Sequence, residues 1–141
     1  MNITSKTSPL STFSDYSVTY EGTRYTCAEG AYQANKGGKH SDGFELLTGF
    51  EAKRLGSGAP VDKAKNIDLM VDILHIRFET HIKLTLEMAR VLSLGEPLVH
   101  DTRARDLFWE TVGGRGKDMF IRCLREAFNK ALGFTIKYED A

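Results

Sequence analysis

The strongest constraint in this sequence is a periodic apolar run in its middle. Ile67, Met70, Val71, Leu74 and Phe78 recur at spacings of three, one, three and four, which places them on one side of an α-helix. Leu69, Ile73 and Ile76 widen that apolar arc. A helix apolar over so much of its circumference must be covered by other elements, so Asp62–Glu79 is expected to be a central helix. The chain has 141 residues, 41% hydrophobic and 27% charged. That is enough for one domain with a real core. No apolar run of about 18 residues occurs, so no membrane-spanning helix is expected. The first residues lack a charged-then-apolar secretory pattern, and a cytoplasmic location follows as the expectation. Cys27 and Cys123 are then expected as reduced thiols. Lys and Arg number 19 against 19 Asp and Glu. Zero formal charge argues against broad electrostatic binding of nucleic acid, while leaving room for a local basic pocket.

Other elements follow from local signals. Residues 1–9 are small and polar, and a free N-terminus is expected there. Ser17–Tyr20 and Thr23–Thr26 flank Glu21-Gly22 as the arms of a hairpin. Thr26 or Cys27 can cap a short helix that Gly37-Gly38 ends. Helical spacing predicts a helix over Phe44–Leu55 stopped by Gly56. Thr80 can cap a helix over His81–Leu94 that stops at Gly95. Pro97–Asp101 suits a strand or extended link, and Asp106–Thr111 a single helical turn. A last helix is expected over Lys117–Leu132, with Phe120, Leu124, Ala127, Phe128 and Ala131 on its apolar side. The tail Phe134–Tyr138 could add a strand. The fold class is α+β, mostly helical, with about five or six helices and a small antiparallel sheet or hairpin. The domain is expected over 10–135, with 136–141 as a tail.

Two segments carry residue types suited to chemistry. In the first, Glu29, Gln33 and Lys36 share one helical face. An acid, an amide and an amine together suit a polar ligand, with Glu29 as general acid or base. The same residues suit a solvated helix surface, with the acid favoured in the first turn. The second segment, residues 100–118, holds the single Trp, three Arg, three Asp and three Gly. Gly113, Gly114 and Gly116 precede a helix, so backbone N–H groups there could meet a phosphate, helped by Arg115 and Lys117. Trp109 could stack on a flat ring or simply anchor the core. Neither a phosphate-binding P-loop nor a dinucleotide fingerprint is present. Asp68, Asp72, His75 and Glu79 form a polar helical stripe of the kind that usually faces solvent, and no metal is expected on it. Cys27 at a helix start is a weak thiol-nucleophile candidate.

Taken in order, these residues resemble the NADAR family, also called YbiA-like. The opening Leu10-Ser11-Thr12-Phe13 is similar to the family's Leu-Ser-Asn-Phe. Tyr25-Thr26-Cys27-Ala28-Glu29-Gly30, continuing through Gln33-Ala34-Asn35-Lys36, is similar to Tyr-x-Thr-x-Glu-His-x-x-Gln-Ala-x-Lys. Ala52-Lys53-Arg54-Leu55-Gly56, then Lys65, Met70 and Arg77-Phe78, continue the match, as do Asp106, Trp109 and Gly116-Lys117-Asp118. The resemblance spans roughly 10–132. Departures fall at Thr12 for Asn, Gly30 for His, Asp118 for Asn and His100 for Glu, and Glu110-Thr111-Val112 follows Trp109 where the family has Gly.

The resemblance implies a YbiA-like fold and a hydrolase of N-glycosidic bonds linked to NAD and ADP-ribose metabolism. The implied substrate is ADP-ribosylated guanine, free or in DNA, or a ribosylated pyrimidine phosphate of riboflavin synthesis. It assigns catalysis to Glu29, with Asp106 as a second carboxylate. Phe13, Gln33, Lys36, Lys53, Trp109, Gly114, Arg115, Gly116 and Asp118 would bind substrate. No cofactor and no metal are implied. Because departures cluster at these positions, a non-catalytic ADP-ribose- or NAD-binding module is the alternative.

Overall fold

A computed structural model of the chain describes residues 2–3, 8–57, 63–95, 97–101, 108–112 and 116–133. Two short strands open the fold, β1 (Val18–Tyr20) and β2 (Thr23–Tyr25). They pair antiparallel, with Tyr20 opposite Thr23. Glu21 (φ 51°) and Gly22 (φ 81°) both take positive φ, as a two-residue hairpin turn with the right twist requires. Each arm is slightly shorter than the sequence signal suggests.

Helix α1 (Ala28–Asn35) follows, and a 3-10 turn over Lys36–Gly38 ends it. Cys27 occupies the N-cap position without a side-chain cap bond. The Thr26 hydroxyl donates instead to Leu47 O at 2.8 Å, which ties the 44–47 segment to the start of α1. That segment is not helical. The helix expected over Phe44–Leu55 is confined to α2 (Gly49–Leu55), because Thr48 and Glu51 form a reciprocal capping box that starts it there.

The predicted central helix is α3 (Lys63–Thr80). Leu69, Met70, Val71, Ile73, Leu74 and Phe78 are all buried on it. It packs against α1, β1, α4 (Ile82–Leu94) and α5 (Met119–Leu132). Phe78 meets Phe128 of α5 edge-on, with ring centres 5.5 Å apart. Thr80 does not cap α4. Its hydroxyl donates back to Ile76 O within α3, and His81 takes the cap position. Helix α5 begins two residues later than expected, because Asp118 adopts φ 59° and so stands outside the helix. Gly95 and Gly133 end α4 and α5 in left-handed conformations, as their positions in sequence foretell.

Pro97–Asp101 forms an extended link rather than a full strand, with one parallel bridge between Val99 and Asn2. Ile3 is fully buried and donates its N–H to Val99 O. Residues 2 and 3 are therefore attached, where their small and polar neighbourhood suggests a free end. Among the described residues the architecture is five α-helices and a two-stranded sheet, the mostly helical α+β class anticipated. No helix among them is long and apolar enough to cross a membrane. The tail strand and the start of the Asp106–Thr111 turn lie outside the described residues.

Candidate functional site

Helix α3 positions the site from beneath through two buried polar residues. Arg77 is fully buried. Its Nη1 donates to Ser11 O at 2.7 Å and its Nη2 to Leu10 O at 2.9 Å, pinning the 10–14 segment. Burial lowers the guanidinium from 12.5 to about 10, with the Cys27 and Tyr16 side chains acting in the opposite sense. It stays protonated at neutral pH. Asn66, also fully buried, accepts the Gly37 N–H at 2.7 Å and so fixes the turn that follows α1. A charged residue on the apolar arc beside Leu74 and Phe78 was the legible sign of Arg77. Asn66 gave no such signal.

The segment held by Arg77 delivers Thr12 to Glu29. Glu29 N–H donates to Thr12 O at 3.0 Å, and the Thr12 hydroxyl donates to Glu29 Oε2 at 3.0 Å. From the next turn of α1, Gln33 Nε2 donates to Glu29 Oε1 at 3.2 Å. Both carboxylate oxygens are thus held, and the residue is only 7% exposed. Burial raises its pKa above the usual carboxylate value, and the Gln33 and Thr12 hydrogen bonds and the Lys53 and Lys36 charges pull it back. Lys36 is itself lowered by burial and held up by Glu29. Glu29 and Gln33 therefore share one buried face of α1, while Lys36, at the C-cap in an extended conformation, is half-buried and acts on Glu29 through its charge.

Helix α2 supplies the next wall. Lys53 acts on Glu29 from there, with its Nζ 6.0 Å from the centre of the Phe13 ring. Gly56, at the end of α2, has no space for a side chain: a Cβ would stand 2.1 Å from Gln33 Oε1. That oxygen is buried without a hydrogen-bond partner among the described residues. Gly56 thus sets how closely α2 approaches the amide that orients Glu29.

The second cluster reaches α1 through aromatic contact. Trp109 meets Tyr32 edge-on at 5.8 Å and Phe108 at 5.0 Å. Lys53 links the two sides, because its charge also bears on His100. Burial lowers His100, and Glu110 opposes that shift. The His100 ring lies against Phe120 at 4.6 Å, and its Nδ1 is buried with no hydrogen-bond partner among the described residues. Two binding expectations meet internal demands here. Asp118 Oδ1 accepts the Thr111 hydroxyl at 2.6 Å. The Gly116 N–H already donates to Thr111 O at 2.8 Å, and a Cβ at Gly116 would stand 1.8 Å from Glu110 O. Gly116 is thus required for the loop's own packing, and its N–H is not free for phosphate. Asp106, Gly114 and Arg115 lie outside the described residues.

The departures at Thr12 and Gly30 acquire a physical meaning. Thr12 still donates a hydrogen bond to the carboxylate. At Gly30 a Cβ would stand 3.3 Å from Phe44 O and 3.7 Å from Tyr25. That direction leads into packing around Tyr25 and Phe44. Cys27 is buried, which pushes its thiol upward, and its Sγ lies 3.8 Å from Leu47 O. This is the opposite of an activated thiolate.

The class of protein defined by this arrangement is the YbiA-like fold. The solved structure that carries it here is the NMR structure of the E. coli protein YbiA. It matches with a TM-score of 0.70 and 21% sequence identity, over 100% of this chain and 88% of that one. No family model matches the chain, and no curated protein matches it.

Proposed function

We propose that this protein is an N-glycosidase that hydrolyses the bond between ribose C1′ and a nucleobase nitrogen, with Glu29 as the catalytic carboxylate. The observation that carries this reading is the state of Glu29: buried, held at both oxygens by Thr12 and Gln33, and faced by two lysines. Such a carboxylate is oriented before substrate arrives, and burial that raises its pKa makes it a better proton acceptor than a free carboxylate.

In the reaction, the C1′–N bond breaks with its electron pair leaving on nitrogen, and positive charge develops on the sugar. The carboxylate of Glu29 stabilises that charge, by the logic of glycoside hydrolysis. Water then adds to C1′ and gives one proton to Glu29, which passes it to the departing nitrogen and returns to the carboxylate form. The products are the free base and a ribose bearing a C1′ hydroxyl. Lys36 and Lys53 bind the substrate phosphate and Trp109 stands as the stacking wall for the base. Gln33 serves by holding Glu29 in line. The substrate is ADP-ribosylated guanine or a ribosylated pyrimidine phosphate, as the sequence resemblance implies.

The test is chromatographic detection of released base and sugar from ADP-ribosylated guanine DNA, a ribosylaminopyrimidine phosphate and NAD. Release from one of these, abolished in Glu29→Gln, is the expected result. Full turnover in that variant would remove Glu29 from the mechanism. If nothing is released while ADP-ribose still raises the melting temperature, the protein is a reader of that ligand and not an enzyme.

A further inference from the structure

Phe50 is used neither by the core nor by the carboxylate. It projects from the second residue of α2 and is 64% exposed, where Phe44, Phe78, Phe108, Phe120 and Phe128 are 8% exposed or less. Its ring is nonetheless ordered against another: it meets Phe13 edge-on, with centres 4.8 Å apart. Phe13 directly follows Thr12, the hydroxyl donor to Glu29. Lys53 lies three residues beyond Phe50, hence on the same side of α2, with Nζ 6.0 Å from the Phe13 ring centre. The same ammonium acts on Glu29. Two rings and a cation therefore stand together beside the segment that delivers Thr12 to the carboxylate.

Cleavage at C1′ has no use for an exposed ring out at this position. Binding the rest of a substrate does, because a nucleobase stacks on an aromatic face whatever its identity, and its phosphate seeks a cation. Lys53 and Arg54, three and four residues beyond Phe50 on α2, give the ring cationic neighbours that suit a phosphate-bearing ligand better than a purely apolar one. We propose that Phe50, with Phe13 and Lys53, forms a second subsite that takes a nucleotide, its base stacked on Phe50 and its phosphate at Lys53. This rests on the Glu29 reading, and extends it by specifying a substrate with a second planar base beyond the bond that is cut. That nucleotide comes either from the adenylate half of ADP-ribose or from the neighbouring position of a nucleic-acid strand.

The experiment is calorimetric titration of the full chain, as wild type, Phe50→Ala and Phe50→Trp. Its probes are ribose 5-phosphate, ADP-ribose and a short guanine-containing single-stranded DNA. Phe50→Ala is expected to lose about ten-fold or more in affinity for ADP-ribose, the oligonucleotide or both, while ribose 5-phosphate binds unchanged and Phe50→Trp retains binding. Loss on ADP-ribose alone identifies the free dinucleotide as the source, and loss on the oligonucleotide identifies a strand. Wild-type affinity of Phe50→Ala for both nucleotide probes overturns the subsite and leaves the Glu29 reading intact. An equal loss on ribose 5-phosphate overturns it as well, since the effect would then be a general disturbance. Self-association that Phe50→Ala abolishes, with nucleotide affinities unaltered, would reassign the ring to a second copy of the chain. If the wild type binds none of the three probes the subsite is overturned, while the Glu29 reading still stands or falls with the release of base.

Discussion

The 10–14 segment has a buried charge on each side of it, and the two are handled in opposite ways. Beneath it, Arg77 spends its guanidinium on neutral oxygens, the carbonyls of Leu10 and Ser11. Above it, Glu29 is held by side chains, the Thr12 hydroxyl and the Gln33 amide, with lysines in its field. Carbonyls that have lost water need a donor, so the Arg77 arrangement holds the backbone in place. A carboxylate whose burial is only partly offset is poised to change protonation, so the Glu29 arrangement keeps chemical capacity at some expense in stability. One loop thus lies between a charge that holds backbone and a carboxylate held only by side chains.

Four substitutions or conditions would break or sharpen that contrast. The largest effect is expected from Glu29→Gln, which should reduce turnover by about a hundred- to ten-thousand-fold. The melting temperature should hold or rise, because the neutral amide removes the burial cost of a charge and Gln33 can rotate its unpartnered oxygen toward it. A large drop in melting temperature would make Glu29 structural and erase the distinction. Arg77→Met should do the reverse and lower stability by about 2 kcal/mol, since it leaves the Leu10 carbonyl without its donor and Ser11 O with Ser14 alone. Denaturant unfolding measures it, and a loss under about 1 kcal/mol would mean the segment is held by something else.

A smaller and more selective change is expected from Gly56→Ala. The backbone there, φ −81° and ψ −6°, accepts alanine without strain, so the effect must come from the missing space beside Gln33 Oε1. Overpacking of this kind costs about 1–3 kcal/mol. Turnover should fall further than binding of ADP-ribose does, because the displaced amide no longer orients Glu29. Equal loss of both would instead show that α2 itself had moved.

The smallest effect is the pH dependence of stability. The folded state holds Glu29 at a pKa above its unfolded value, so between the two values the folded state binds more protons. Stability should therefore be greatest below the unfolded value and decline as pH rises through the folded one. Thermal melts of the wild type against Glu29→Gln should differ by this slope, and coincident profiles would mean that Glu29 ionises as freely as in the unfolded chain.

Much of the scaffold was legible because it depends on neighbours in sequence. The period of Ile67 to Phe78 specified α3, Glu21-Gly22 specified the hairpin turn, and Gly95 and Gly133 marked helix ends. Boundaries failed where a side chain chose between competing local bonds. Thr48 and Glu51 formed their box and shortened α2, while Thr80 bonded back to Ile76 and left the cap to His81. Within the site, Glu29, Gln33 and Lys36 could be grouped from helical spacing alone. That Glu29 and Gln33 are buried and not on a wet helix surface could not, because Thr12 and Gly56, which pack against them, come from distant parts of the chain. Phe50 gave no signal at all, since an apolar residue in a helix is ordinarily destined for the core.

By itself the sequence determined the helical scaffold, the central helix and the shared face of α1, all consequences of period and turn chemistry acting within a few residues. Only the tertiary structure decided which of those polar residues lose their water. Desolvation depends on what packs from elsewhere, and here Arg77 of α3 holds the segment that brings Thr12 to Glu29, while Asn66 fixes the turn after α1.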